Sequence, residues 1–142
     1  MLRDAGYALV VVTNQSGIGR GYFGEDDYRL VTARMREMLS EQGVAFAAVL
    51  HCPHTPDYGC DCRKPKPGML VAGADQVGVD LNTSVLFGDK PSDIAAGREA
   101  GVARCFLVGE NHGRAVGDGE HGADLLACVR LLLGKDRISA AN

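Results

Sequence analysis

No run of apolar residues in this 142-residue sequence approaches the length of a membrane span, and its first residues lack the charged-then-apolar pattern of a secretion signal. Lys/Arg runs are missing too, and a net charge of −3 argues against a nucleic-acid-binding surface. There are no repeats, low-complexity tracts or interdomain linkers, so residues 1–142 read as one domain. Five cysteines do not make a neat disulfide framework, which favours a reducing compartment. The expectation is a soluble, cytoplasmic, monomeric protein.

What is present is enough for a core: 46% of residues are hydrophobic and 23% charged, an ordinary globular balance. Tyr7 to Thr13 is a continuous apolar, β-branched run, which predicts a strand buried on both faces. A helix is expected over Glu25 to Gln42. Tyr28, Val31, Met35, Met38 and Leu39 recur there at helical spacing, three acids suit its positive end, and Gly43 suits its stop. Val44 to Leu50 reads as a second strand, Pro67 to Val77 as a helix opened by proline, and Ser84 to Phe87 as a third strand. Pro91 to Ala100 is expected to be helical, and Arg104 to Val108 a fourth strand. Ala123 to Leu133 fits either a short strand plus a helix or one helix. Such alternation predicts an α/β fold, a Rossmann-like parallel sheet with helices on both faces, whose ligands gather beyond the carboxyl ends of the strands.

The most specific feature is the segment CPHTPDYGCDCRKPKPGM, residues 52–69. Cys52, His54, Cys60 and Cys62 form two C-x-[HC] arms on a short loop, residues 51–63, and can close a tetrahedron around one Zn²⁺ ion. Scattered core thiols or a surface disulfide are the plainer alternatives. Four ligands leave no open coordination position, so the zinc is read as structural. Arg63 and Lys64 follow at once, and Pro65 and Pro67 stiffen the chain around Lys64, whereas Lys66 reads as solvated. A fixed lysine neutralises a phosphoryl group, and a forked guanidinium grips a second phosphate or a sugar hydroxyl.

Two further groups fall at predicted strand ends. Thr13, Asn14, Gln15 and Ser16 end the first strand, although turn chemistry is the commoner reason for such residues. The G-I-G-R-G that follows lacks the G-K-[ST] ending of a Walker loop and is expected to form a mobile rim. Asp89, after Gly88, suits Mg²⁺, which prefers carboxylate oxygens and bound phosphate, and Lys90 adds a cation beside it. Asp93 reads as a first-turn helix acid. His112 and His121 have no companions and read as loop residues.

In this order, T-N-Q-S-G, C-x-H…C-x-C-R-K-P and G-D-K-x-x-D resemble the haloacid dehalogenase (HAD) superfamily of phosphatases over essentially the whole chain. More narrowly, they look like the zinc-containing D-glycero-D-manno-heptose 1,7-bisphosphate 7-phosphatases of lipopolysaccharide-precursor synthesis, which share ancestry with histidinol-phosphate phosphatases. The resemblance implies a HAD-like fold and a small-molecule sugar phosphate as partner. It implies that Thr13 and Lys64 stabilise the transferring phosphoryl group, that Arg63 recognises substrate, and that Asp89 binds the catalytic Mg²⁺. Asn14, Gln15, Ser16 and Lys90 then line the substrate site. The chemistry is attack by an aspartate, then hydrolysis of the aspartyl-phosphate. Histidinol-phosphate hydrolysis is the nearest alternative, and a non-catalytic zinc-bearing module that binds a phosphorylated metabolite is another.

One departure bears on activity. The family's D-x-D-G-[TV] segment carries the nucleophile and the acid/base, and no D-x-D occurs in this sequence. The resemblance places the missing strand centrally, between the strands ending at Thr13 and Asp89. An N-terminally incomplete copy with little or no turnover is therefore expected.

Overall fold

A computed structural model describes residues 1–109 and 119–139, with side chains of the last helix as far as residue 134. The strands are β1 (Val10–Asn14), β2 (Ala48–Cys52), β3 (Val85–Gly88), β4 (Arg104–Val108) and β5 (Glu120–Gly122). The helices are α1 (Ser16–Gly19), α2 (Glu25–Glu41), α3 (Gly68–Val77), α4 (Pro91–Ala100) and α5 (Leu125–Ser139), with a 3₁₀ turn at Leu81–Thr83. No described helix is long and apolar enough to cross a membrane.

All strand pairs are parallel, as the alternation of elements predicts, but among the described residues they form two sheets. One is β1–β2, the other β3–β4–β5. The β1–β2 register sets Thr13 opposite His51 and Asn14 opposite Cys52, so the first cysteine of the loop sits beside the polar end of β1.

The second sheet is covered on both faces. Leu86, Ile94 and Leu107 pack with Leu70, Val102 and Cys105 on the α3–α4 side. Phe106, Cys128 and Leu132 pack with Tyr7, Val85, Phe87 and Leu2 on the α5 side. Phe106, Leu107 and Leu132 are essentially inaccessible, and each such side chain contributes about 1.5–3 kcal/mol on burial. The thiols of Cys105 and Cys128 are pushed up from their ordinary value, first by desolvation, consistent with inert core thiols; Cys128 is fully buried and Cys105 partly so.

Local chemistry explains the helix limits. Pro91 occupies the first turn of α4, the Lys90 N–H is capped by Asp93 Oδ2 at 3.0 Å, and Gly101 ends the helix with φ +80°. In α2, Tyr28, Met35 and Leu39 are half-buried, and Tyr28 lies 4.0 Å from the His51 ring. Val31 and Met38, expected on the same face, are 71% and 52% exposed. Residues 28, 35 and 39 keep one stripe, whereas 31 and 38 fall to its side.

Three other expectations are corrected. Strand β1 is half-buried along its whole length rather than buried, since among the described residues only one of its edges is paired. The glycine-rich rim contains a helical turn, α1, docked on the cysteine loop by Gly19 N–H to Pro53 O at 2.9 Å. His121 belongs to β5 rather than to a loop, while His112 lies outside the described residues.

Candidate metal centre and anion site

Strand β2 delivers Cys52, fully buried, to the start of the loop, and the chain turns back through His54 to Cys60 and Cys62. Their ligand atoms all lie within 4.8 Å of one another, the one such cluster among the described residues. Cys52 Sγ stands 3.5 Å from His54 Nδ1 and 3.6 Å from Cys60 Sγ, and His54 Nδ1 is 3.3 Å from Cys62 Sγ. Ligands on a tetrahedral zinc at a Zn–S distance of 2.3 Å stand about 3.7 Å apart, so these separations fit such an ion. The Cys52–Cys62 pair, at 2.8 Å, would open slightly around one.

The thiols' chemistry points the same way. Desolvation raises Cys60, but the Arg63 N–H and the neighbouring Cys62, Cys52 and His54 outweigh it and bring the thiol down to about 6. Cys62 is pushed up to about 12 by desolvation and then by Cys52 and Cys60. The cluster resists holding several thiolates alone, and a dication removes that conflict. Tyr58, exposed at the loop's tip, stacks on the His54 ring at 4.1 Å.

The far end of the loop lies over the carboxyl end of β1. Gly68 passes so close that a Cβ there would sit 2.3 Å from Asp61 O, so only glycine permits the crossing. Lys64 Nζ donates to Val12 O at 3.0 Å, on the strand itself, and pairs with Asp93 Oδ1 at 2.6 Å. Both side chains are nearly buried, at 12% and 8% exposure. The Lys64 main chain is tied to Asn14: Asn14 Nδ2 donates to Lys64 O, and Lys64 N–H donates to Asn14 Oδ1, each at 3.1 Å. Gln15 Nε2 donates to Thr13 Oγ1 at 3.0 Å, which leaves the hydroxyl proton to be donated elsewhere.

Thr13, Asn14, Gln15 and Lys64 are thus gathered around the end of β1. Ser16 opens α1 half-buried, and Arg63 Nη1 donates back to His54 O at 3.3 Å, bracing the loop. Asp89 and Lys90 stand exposed where β3 meets α4. Lys66 is exposed, as expected, and meets Asp61 only at the surface.

Asp93 is the residue that sequence reasoning undervalued. It does cap the first turn of α4, but its second oxygen holds Lys64. The spacing G-D-x-x-x-D carried the signal, since the helix brings Asp93 back over the strand end. Gly88 makes room, because a Cβ there would stand 2.3 Å from the Asp93 Cβ. Replacing Asp93 by alanine strands a nearly buried ammonium and is expected to cost about 3–5 kcal/mol. Urea unfolding checks this, and a loss below about 1 kcal/mol, the usual worth of a surface pair, would show the site to be well hydrated.

The HAD-hydrolase-like family profile matches residues 61–127. The D-glycero-alpha-D-manno-heptose-1,7-bisphosphate 7-phosphatase of Photorhabdus laumondii is 46% identical over 118 residues, which take in 78% of this chain and 64% of that protein. The D-glycero-beta-D-manno-heptose-1,7-bisphosphate 7-phosphatase of Haemophilus ducreyi is 42% identical over 133 residues, or 88% of this chain and 72% of that protein. Against the first curated relatives it matches, the chain spans about three-fifths of their length, 64%, 61% and 61%. Among solved structures, the D,D-heptose 1,7-bisphosphate phosphatase of B. bronchiseptica, complexed with magnesium and phosphate, superposes with a TM-score of 0.84 at 34% identity. That superposition covers 94% of this chain and 78% of the other.

Proposed function

This chain belongs to the HAD-like hydrolase family, within the group of D-glycero-D-manno-heptose-1,7-bisphosphate 7-phosphatases, and on that footing we propose that it forms the phosphoryl-binding part of an enzyme that removes the 7-phosphate of a heptose 1,7-bisphosphate. The observation that carries this reading is the position of Lys64, an ammonium held at the carboxyl end of β1, two residues past Cys62. Phosphoryl transfer relies on positioning and charge neutralisation more than on covalent chemistry supplied by many groups, and a fixed cation beside a hydroxyl suits that task.

Thr13 donates its hydroxyl proton to the phosphoryl oxygens and Lys64 neutralises their charge. Arg63 reads the rest of the substrate, and Gln15, Ser16 and Lys90 line its site. Asp89 holds Mg²⁺, which when bound neutralises phosphate charge. Cys52, His54, Cys60 and Cys62 hold Zn²⁺ in a closed shell that supplies rigidity and no chemistry. The nucleophile and the acid/base are the two aspartates of a D-x-D segment, which these 142 residues do not contain. These residues act as one domain of a cytoplasmic monomer, on a small-molecule sugar phosphate.

A chain without the nucleophile allows binding to be measured without turnover. Calorimetry on the zinc-loaded chain with Mg²⁺ is expected to show heptose 1,7-bisphosphate binding, histidinol phosphate binding more weakly, and Lys64→Ala reducing the affinity roughly 10- to 100-fold, the worth of a charge-assisted contact. Tighter binding of histidinol phosphate moves the substrate to that alternative. Affinity unmoved by Lys64→Ala removes the reading altogether.

A further inference from the structure

Asn14 is read from the sequence as a residue that lines the substrate site, yet both polar atoms of its side chain are engaged with one neighbour. Its amide nitrogen donates to the carbonyl of Lys64 and its amide oxygen accepts from the N–H of Lys64, both at 3.1 Å. Only a carboxamide offers a donor and an acceptor in one plane at that spacing. The pair of bonds imitates the exchange between two peptide groups, and so ties the segment at Lys64 to the last residue of β1. Asn14 is itself fixed on its other side, where β1 pairs with β2 opposite Cys52. Lys64 is therefore held by the cysteine loop ending at Cys62 and by this amide, and its side chain then reaches Val12 O and Asp93.

We propose that Asn14 is a positioning residue for Lys64: its carboxamide fixes the lysine main chain so that the ammonium is delivered to the end of β1, and Asn14 does not itself contact the phosphate. The role of Lys64 in this statement rests on the phosphatase reading given above, whereas the clamp stands on the two hydrogen bonds.

The test uses the zinc-loaded chain, inorganic phosphate with Mg²⁺ as probe, and the variants Asn14→Ala, Lys64→Ala and the double variant. Asn14→Ala is expected to weaken phosphate binding by roughly 10- to 100-fold, the scale of a misplaced group, and to abolish exchange protection of the Lys64 amide while zinc retention stays unchanged. In the Lys64→Ala background the same substitution is expected to cost nothing further, because a residue that acts through another is silent once the other is gone. A direct phosphate ligand would instead show additive losses, and additive losses overturn the proposal. So does an Asn14→Ala chain whose Lys64 amide keeps its protection. A native chain that binds no phosphate overturns the phosphatase reading instead, and the exchange of the Lys64 amide then decides the clamp by itself. Asn14→Asp supplies the graded case: it keeps the acceptor for the Lys64 N–H and loses the donor, so amide protection is expected to survive in part.

Discussion

Replacing Cys62 by serine is expected to leave the chain without bound zinc and to lower its Tm by at least about 10 °C. At this chain length one kcal/mol moves Tm by roughly 3 °C, so the loss required is about 3 kcal/mol. Zinc sites of this donor type contribute on the order of 10 kcal/mol in small peptides, comparable to the whole stability of a domain. The effect is large because of what the loop carries. Cys62 precedes Arg63 and Lys64 directly, Gly68 crosses the loop at Asp61, and α1 rests on Pro53. Elemental analysis checks the metal content, Co²⁺ substitution checks the thiolate ligands by their charge-transfer absorption, and circular dichroism checks the melting. A Cys62→Ser chain that melts with the native protein would remove the loop from any structural role. Zinc retained at one ion per chain with an unchanged Co²⁺–thiolate band would remove Cys62 from the ligand set.

Features that depend on single local devices were legible in the sequence, and features that depend on long-range partners were not. Helix α4 runs over the residues expected because proline opens it and glycine closes it. The cysteine quartet was legible because its spacing alone brings the ligands together, and the structure gathers all four within 4.8 Å. Strand β5 carries no strand signal in its own sequence. Glu-His-Gly has no β-branched residue and no Phe, Tyr or Trp, and the strand is held instead by pairing with β4 and by the bidentate contact of Glu120 with Arg104 at 2.9 Å. The sequence pattern starts strand β2 a few residues early. Its apolar run begins at Val44, but pairing with β1 selects Ala48–Cys52. The dual role of Asp93 was hidden for a similar reason: its cap on α4 is local, while its bond to Lys64 joins residues twenty-nine positions apart, read as 93 minus 64.

A chain of these 142 residues is expected to release phosphate from heptose 1,7-bisphosphate at background rate, and the same chain preceded by a strand bearing D-x-D-G is expected to turn over at least 10⁴-fold faster, within the roughly 10⁶-fold cost of losing a nucleophile where it has been measured. Chemistry and topology converge on this. An acyl-phosphate route needs a carboxylate in line with the ester, and no D-x-D exists here to supply one. In the fold, β1 and β3 are parallel-sheet strands that lack a partner on one edge among the described residues, and a lysine ammonium takes the Val12 carbonyl of β1. Edges of that kind are unfavourable in a parallel sheet, which is normally buried and paired throughout. By the family resemblance, an extended segment pairs with both, joins the two sheets into one and brings its carboxyl end beside Thr13, Lys64 and Asp93. Two measurements separate the parts of this prediction. Phosphate release reports the carboxylate, and hydrogen exchange at the amides of β1 and β3 reports the pairing, which should gain protection in the extended chain. Because a D-x-D→N-x-N version of the added strand keeps the pairing and lacks the nucleophile, it should show protected amides with no turnover. Equal turnover by the 142-residue chain would mean that another group attacks the phosphoryl centre, and the clamp at Lys64 would then serve a different reaction.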